Sequence, residues 1–409
     1  MLNSNTLPDE QPKTFRLGIM GGGQLARMLM LAAHPLGIQV RCLDPDPNAP
    51  GGHVGSQVIG AYDDLASLDC FAQGLDAVTY EFENVSTAAL DHLAAQNIPI
   101  YPPPIALAIG QDRLLEKTLF TELGIAVPPF AAVSTRDQAA AAIADVGIPC
   151  VMKTRRMGYD GKGQRVLRAA DTNPDANPDA NFIANESSNS SHANHATHAR
   201  EAFDSLGGVP VLIEAFVPFI REVSIVAVRD LHGSFDAYPL TQNTHEDGIL
   251  RLSIAPAIDS GSLETTARAA AQKIMDRLNY VGVLTVEFFV IRDAQGTEHL
   301  LANELAPRVH NSGHWTIEGA TTSQFENHIR ACAGLPLGPT TMRAGVACSA
   351  MVNFIGSWPA PAKLLESPGI HPHIYGKSAR EGRKVGHATI VGTSRDAVME
   401  LVARVASPA

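Results

Sequence analysis

Apolar and polar positions alternate along this chain with two periods, one for strands and one for helices. Phe15–Met20, Gln39–Leu43 (ending at Asp44) and Ala77–Tyr80 are short apolar runs that read as strands. Gln24–Ala33, rich in Leu, Met and Ala, reads as a helix, with Gly21-Gly22-Gly23 as the tight turn before it. Strands alternating with helices predict an α/β fold with a parallel sheet, whose ligands sit at the carboxyl ends of the strands. Pro102-Pro103-Pro104 closes this block, and Ile105–Leu123 has helical periodicity with Gly124 as its cap. A second unit follows Pro128-Pro129, where strand Cys150–Thr154 enters the glycine-rich run Gly158–Gln164. Regular structure returns at Val211–Glu214, Glu222–Val228, Gly282–Ile291 and His299–Glu304. From about Gly345, the strand-like Ala347–Ile355 and His387–Val391 predict a small β-rich terminal domain.

Two stretches break these rhythms. Residues 1–14 are polar and predict a disordered tail without a signal peptide. Residues 171–199 are rich in Asn, Ser, His and Pro and nearly lack large apolar side chains, so a disordered or loosely ordered insertion is expected. His192, His195 and His198 are spaced by three within it, but nothing nearby would orient their imidazoles, and a solvated loop is the expectation.

Composition narrows the class. Hydrophobic residues make up 45% and charged residues 18%, the balance of a soluble globular protein. A net charge of −11 disfavours a nucleic-acid surface, though local cations can still hold small anions. No apolar run is long enough to span a bilayer, so no membrane partner is expected. The five cysteines are scattered without a CxxC pair, which suits a reducing, cytoplasmic compartment.

Three constellations carry chemistry. Gly21-x-Gly23-x-x-Ala26, with Asp44 beyond it, nearly satisfies a dinucleotide fingerprint, yet the glycines could equally hold another phosphate or merely form the turn. The run Gly158-Tyr159-Asp160-Gly161-Lys162-Gly163-Gln164, preceded by Lys153, Arg155 and Arg156, is a flexible cationic loop suited to a triphosphate. Glu287 and Glu304 lie on two strands that flank the turn Asp293-Ala294-Gln295-Gly296. One register of that hairpin sets the two acids opposite each other on one face, roughly 5 Å apart, while the other sends them to opposite faces. Paired among Leu, Val, Phe and Ala, they require a raised pKa or a cation between them, and Mg²⁺ shared with phosphates fits best. Arg308, His310 and His314 follow in a loop suited to an anionic substrate and proton transfer. Tyr375-Gly376-Lys377, Arg380, Arg383 and Lys384 form a cationic cluster that reads as a phosphate site.

Taken together, GIMGGGQLARML, TYEFENV, QDRLLEK, KTRRMGYDGKGQ, NELAPRVHNSGHWTIE and YGKSAREGRKVGH resemble the N5-carboxyaminoimidazole ribonucleotide synthetase family of the ATP-grasp superfamily, from about residue 15 to 393. The resemblance implies an ATP-grasp fold: a Rossmann-like preATP-grasp domain over 15–112 and an ATP-grasp domain over 113–335. The latter has a lid near 128–210 and a central α+β part, and a β-rich domain follows over 345–409. It implies ATP, Mg²⁺, bicarbonate and 5-aminoimidazole ribonucleotide as ligands, in a homodimer. Arg113, Lys153 and Gly158–Gln164 would then hold ATP phosphates. Glu214, Ala215, Phe216 and Val217 would offer backbone to adenine, Glu222 would take the ribose, and His245 a further nucleotide contact. Glu287 and Glu304 would bind Mg²⁺ with Asn303 beside them. Gly23, Gln24, Glu81, Glu83, Tyr159, Asp160, Lys377, Arg383 and Lys384 would face the ribonucleotide, and Arg308, His310 and Lys377 would act on carboxyphosphate. Lys162 departs from an Arg common in the family.

Overall fold

The computed structural model describes residues 14–158, 163–168 and 192–406. They form two compact units, divided between Tyr101 and Pro102. In the first, β1 (Arg16–Met20), β2 (Gln39–Asp44), β3 (Ser56–Ile59) and β4 (Ala77–Tyr80) make a parallel sheet ordered β3-β2-β1-β4. Four of the five β1 residues and every β4 residue are buried. Such continuous apolar strands are typical of parallel sheets with both faces covered.

The second unit opens with a correction. The periodic stretch 105–123 is two helices, Pro104–Gly110 and Arg113–Glu122, interrupted at Gln111 and Asp112. Asp112 is the reason: its carboxylate accepts from Leu114 N at 3.0 Å, capping a new helix. A small antiparallel sheet follows, built from β5 (Phe130–Val133), β6 (Cys150–Thr154), β7 (Gln164–Leu167) and β8 (Val211–Ala215) in the order β5-β8-β6-β7. Against it packs helix His192–Ser205, whose Ala199, Ala202 and Phe203 are buried beside Met152 and Ile213. The tail of the low-complexity stretch is therefore helical from His192, because Ala199 begins an apolar face that the small sheet can bury. Residues 171–191 lie outside the described residues.

The central sheet has nine strands: β9 (Arg221–Arg229), β10 (Phe235–Ala237), β11 (Thr241–Glu246), β12 (Ile249–Ala255), β13 (Gly282–Arg292), β14 (Glu298–Ala306), β15 (Cys348–Ile355), β16 (Ile370–Ile374) and β17 (Lys384–Gly392). Their order is β14-β13-β9-β11-β12-β15-β17-β16, with β10 paired to β9. The C-terminal strands thus extend the central sheet rather than forming one of their own, since β15 pairs antiparallel with β12, Ile254 opposite Ala350. One core lies under helix Gly261–Arg277, which contributes Ala267, Ala271 and Ile274; another gathers Ile254, Val352, Ile390 and Val398.

Candidate active site

The β13–β14 hairpin carries the site's centre. Its turn is held by Asp293, whose Oδ1 accepts from Gln295 N at 2.9 Å and Thr297 N at 2.8 Å, while Gly296 supplies a φ of +85°. The register places Glu287 directly opposite Glu304, the same-face alternative of the two. A bulge follows at once, because Phe288 pairs with Ala302 and leaves Asn303 as the extra residue. The Asn303 Oδ1 is buried and accepts no hydrogen bond from the described residues. A buried amide oxygen beside two carboxylates is a hard-oxygen donor set of the kind Mg²⁺ takes, so the residues present fit that ion.

Charges around the pair separate the two acids. Burial and the Glu304 charge push Glu287 up to about 7. Burial also pushes Glu304 up, but Arg113 and Lys153 outweigh it and hold Glu304 below its ordinary value. Arg113 Nη1 lies 3.4 Å from Glu304 Oε2, fixed at the first turn of the helix that Asp112 caps. Arg155, just past the end of β6, clamps the same Asp112 with bonds of 3.0 and 2.6 Å.

The Lys153 ammonium pairs with Glu214, which also holds Lys117 at 2.8 Å. Two cations more than offset burial, and the Glu214 carboxyl falls to about 2. The Lys153 ammonium is pushed down as well, because its burial exceeds its half share in Glu214. The larger effect is on Glu214, which meets both cations. Lys117 Nζ also reaches the carbonyls of Ala302 at 3.2 Å and Asn303 at 2.6 Å, tying helix Arg113–Glu122 to the bulge. Its neighbour Glu116 accepts from Leu305 N at 2.5 Å, and burial pushes that carboxyl up to about 8. Sequence reasoning missed Glu116 and Lys117. Their signal is positional, since both fall on the face that buries Leu119 and Phe120, where a charged pair needs fixed partners.

On the other side of Glu287 stand two histidines. His245 Nδ1 is 2.8 Å from Glu222 Oε2. Burial alone would lower the His245 pKa, but the Glu222 bond and the Glu287 and Glu304 charges raise it. His310 Nε2 lies 3.5 Å from Glu287 Oε1. Burial, with Arg308, Lys384 and His314 nearby, drives the His310 pKa well below its ordinary value. The structure therefore brings His310, His245 and Lys384 around the carboxylate pair, with Arg308 near His310. Arg383 instead bonds Ser378 Oγ at 2.7 Å within its own loop.

The remaining candidates divide. Ala215 N and Phe216 N donate to the Pro129 and Pro149 carbonyls at 2.9 and 3.0 Å, so those two amides are already bonded beside the small sheet. Gly158, Gly163 and Gln164 are described, Gln164 paired with Lys153; Tyr159, Asp160, Gly161 and Lys162 lie outside the described residues. His314 is buried against His387, their rings 4.9 Å apart. In the first unit, the glycine turn already holds carboxylates. Gly23 N and Ala26 N donate to Glu81, the latter at 2.8 Å, and Gly22 N donates to Asp44 at 2.8 Å. A Cβ on Gly23 would run into the Glu81 carboxylate, which would have to shift from the turn amides it accepts from. Asp44, expected to bind a ribose in the dinucleotide reading, is spent on the turn and on Tyr62 OH at 2.8 Å, which removes the support for that reading.

Three family models match the chain: a ribonucleotide synthetase preATP-grasp domain over residues 14–111, an ATP-grasp domain over 118–325, and a phosphoribosylaminoimidazole carboxylase C-terminal domain over 349–401. The N5-carboxyaminoimidazole ribonucleotide synthase of Pseudomonas aeruginosa is 45% identical over 95% of this chain and 98% of its own length. That of Brucella melitensis is 44% identical over 91% of this chain and 95% of its own. Among solved structures, the N5-carboxyaminoimidazole ribonucleotide synthetase of Thermus thermophilus superposes with a TM-score of 0.83, at 46% identity, over 96% of this chain and 99% of that one. The Aspergillus clavatus N5-carboxyaminoimidazole synthase, solved with ADP and 5-aminoimidazole ribonucleotide, gives 0.78 at 28% identity over 96% of this chain and 97% of that one. With that identity along nearly its whole length and the paired carboxylates in place, the chain belongs to the N5-carboxyaminoimidazole ribonucleotide synthase family of ATP-grasp ligases.

Proposed function

We propose that this protein uses ATP to join bicarbonate to the exocyclic amine of 5-aminoimidazole ribonucleotide, releasing ADP and phosphate. The observation that carries the reading is the Glu287–Glu304 register with the buried Asn303 oxygen beside it, in a chain of this family. Glu287, Glu304 and Asn303 would hold Mg²⁺, which when bound neutralises charge on the phosphates during transfer. Arg113 and Lys153 face the same phosphates, the first from a capped helix and the second from a strand end. The Glu214 carboxylate keeps Lys153 in place, and its backbone edge would face the adenine. With Ala215 N and Phe216 N already bonded beside the small sheet, the adenine-facing donor falls to Val217 N. Glu222 would meet the ribose, with His245 bonded to it.

Bicarbonate is a weak electrophile, and its oxygen attacks the γ-phosphorus, giving carboxyphosphate and ADP. Arg308, His310 and Lys384 surround the carboxylate end of that intermediate, and Lys377 is proposed beside them. A dry site matters because free carboxyphosphate hydrolyses, and the glycine loop Gly158–Gln164 supplies the cover. From the first unit, Gly23, Gln24, Glu81 and Glu83 are proposed to contact the ribonucleotide, Glu81 being pre-oriented by the turn amides. No helix among the described residues is long and apolar enough to cross a membrane. The free cysteines suit a cytoplasmic enzyme, and a homodimer is the proposed assembly.

The test is ADP release from purified protein with Mg²⁺, ATP, bicarbonate and 5-aminoimidazole ribonucleotide, omitting each in turn. Dependence on all four is expected, and ADP release indifferent to the ribonucleotide would sink the substrate assignment.

A further inference from the structure

Behind the carboxylates, one face of the central sheet carries a polar row. Glu304, Glu287 and Ser224 are successive cross-strand partners over β14, β13 and β9, and Asn243 and Ser253 are partners over β11 and β12. Ser224, Ser253 and Ser312 are fully buried and Asn243 is 4% exposed, so each needs its hydrogen bonds met inside the protein.

They are met in a single direction. Ser253 Oγ donates to Asn243 Oδ1 at 2.8 Å, and Asn243 Nδ2 donates to Ser224 Oγ at 3.0 Å. Having accepted, Ser224 donates its one proton to Ser312 Oγ at 2.8 Å. Ser312 Oγ is then left to donate to His310 Nδ1, 2.9 Å away. The Ser312 N–H, which can only donate, also points at that nitrogen from 3.3 Å. Nδ1 is thus an acceptor twice over, and the imidazole proton resides on Nε2, the atom facing Glu287. Gln324 fixes the same residue's backbone, accepting from His310 N at 2.9 Å and donating to His310 O at 2.6 Å.

We propose that Ser253, Asn243, Ser224 and Ser312 are positioning residues that impose the Nε2–H tautomer on His310, presenting an N–H donor where carboxyphosphate forms. The inference rests on the carboxylation reading for its chemistry, but the tautomer itself does not. Asn243→Asp tests it with little change of shape. A carboxylate there only accepts, so Ser224 would turn its proton toward it, Ser312 would turn toward Ser224, and Nδ1 would lose its hydroxyl donor. Two-bond ¹⁵N–¹H correlation spectra of protein labelled at histidine nitrogen read the tautomer, with His310→Asn identifying the signal.

The wild-type chain is expected to show His310 as Nε2–H alone. Asn243→Asp and Ser312→Ala are each expected to populate Nδ1–H, lower kcat about tenfold or more, and leave KM for ATP within about twofold. A folded variant whose His310 stays Nε2–H overturns the proposal whatever its turnover, and so does a tautomer change with normal kcat. Ser312→Ala removes one oxygen, the hydroxyl donor to Nδ1, and serves if Asn243→Asp does not fold. If wild-type turnover ignores the ribonucleotide while the spectra behave as expected, the carboxylation reading fails and the tautomer assignment stands.

Discussion

Glu287 and Glu304 have the same side chain yet opposite electrostatic neighbourhoods. Glu304 faces Arg113 and Lys153, while Glu287 faces Glu304 itself, so Glu287 is the acid most in need of a cation. Replacing either with Gln removes charge but keeps volume. Each change is expected to cut turnover about a hundredfold while leaving the circular dichroism spectrum intact, as typical for lost electrostatic stabilisation. Near-normal turnover in either variant would refute the metal assignment. Glu214 makes a different demand. Its folded pKa of about 2 lies below its ordinary 4.5, so its pairing with Lys117 and Lys153 stabilises the fold above that ordinary value and is lost as pH falls through about 2. The contribution at neutral pH is of the order of 3 kcal/mol at most, because burying Lys153 offsets part of it. Urea titrations from pH 7 to pH 3 should therefore show wild-type stability falling on the acid side, and Glu214→Gln should be less stable at pH 7 with a flatter acid limb. Parallel limbs would show that Glu214 is not the group responsible.

Among the elements, the hairpin was legible from the sequence because Asp293–Gly296 closes a short turn between two apolar runs, but its register was open: counted outward from Arg292 opposite Glu298, Glu287 meets Asn303, and only the bulge moves its partner to Glu304. The bulge was not legible. Counting alone gives no reason for Asn303 to leave the ladder; its cause lies far away in sequence, where buried Lys117 takes the Ala302 and Asn303 carbonyls. The break at Asp112 and the helical end of the low-complexity stretch were hidden for similar reasons, since a cap and a partner sheet override periodicity. The bulge makes its own prediction. Asn303→Leu keeps the bulk and the backbone contact to Lys117 but deletes the buried oxygen. It is expected to raise the Mg²⁺ concentration for half-maximal activity by about tenfold, with thermal stability unchanged or slightly improved, because an unsatisfied polar atom is removed. An unchanged Mg²⁺ requirement would exclude Asn303 from the ion's surroundings.

At the scale of the whole second unit, the C-terminal strands share hydrogen bonds with the central sheet. The chain's rhythm shows that β15 and β17 are strands, but strand order depends on which edge is left open, and β12, paired with β11 on one side, leaves its other edge to β15. Leu252, Ser253, Ile254 and Ala255 pair across that seam, and Ile254 belongs to the same core as Ile390. A domain joined this way cannot unfold without exposing the edge of β12 and Ser253, the far end of the row that leads to His310. Ile390→Ala, at a fully buried position, should cost about 3 kcal/mol. Its effect should reach Trp315, which is buried beside Tyr238 and donates to Thr241 at 3.0 Å in the central part of the unit. In a Trp358→Phe background, Trp315 is the sole tryptophan, and its fluorescence reports that part alone. The denaturation midpoint read from Trp315 should fall with Ile390→Ala, in step with the midpoint read from circular dichroism. If the Trp315 transition stays where it was while the dichroism splits into two steps, the C-terminal strands fold independently and the shared sheet contributes no cooperativity.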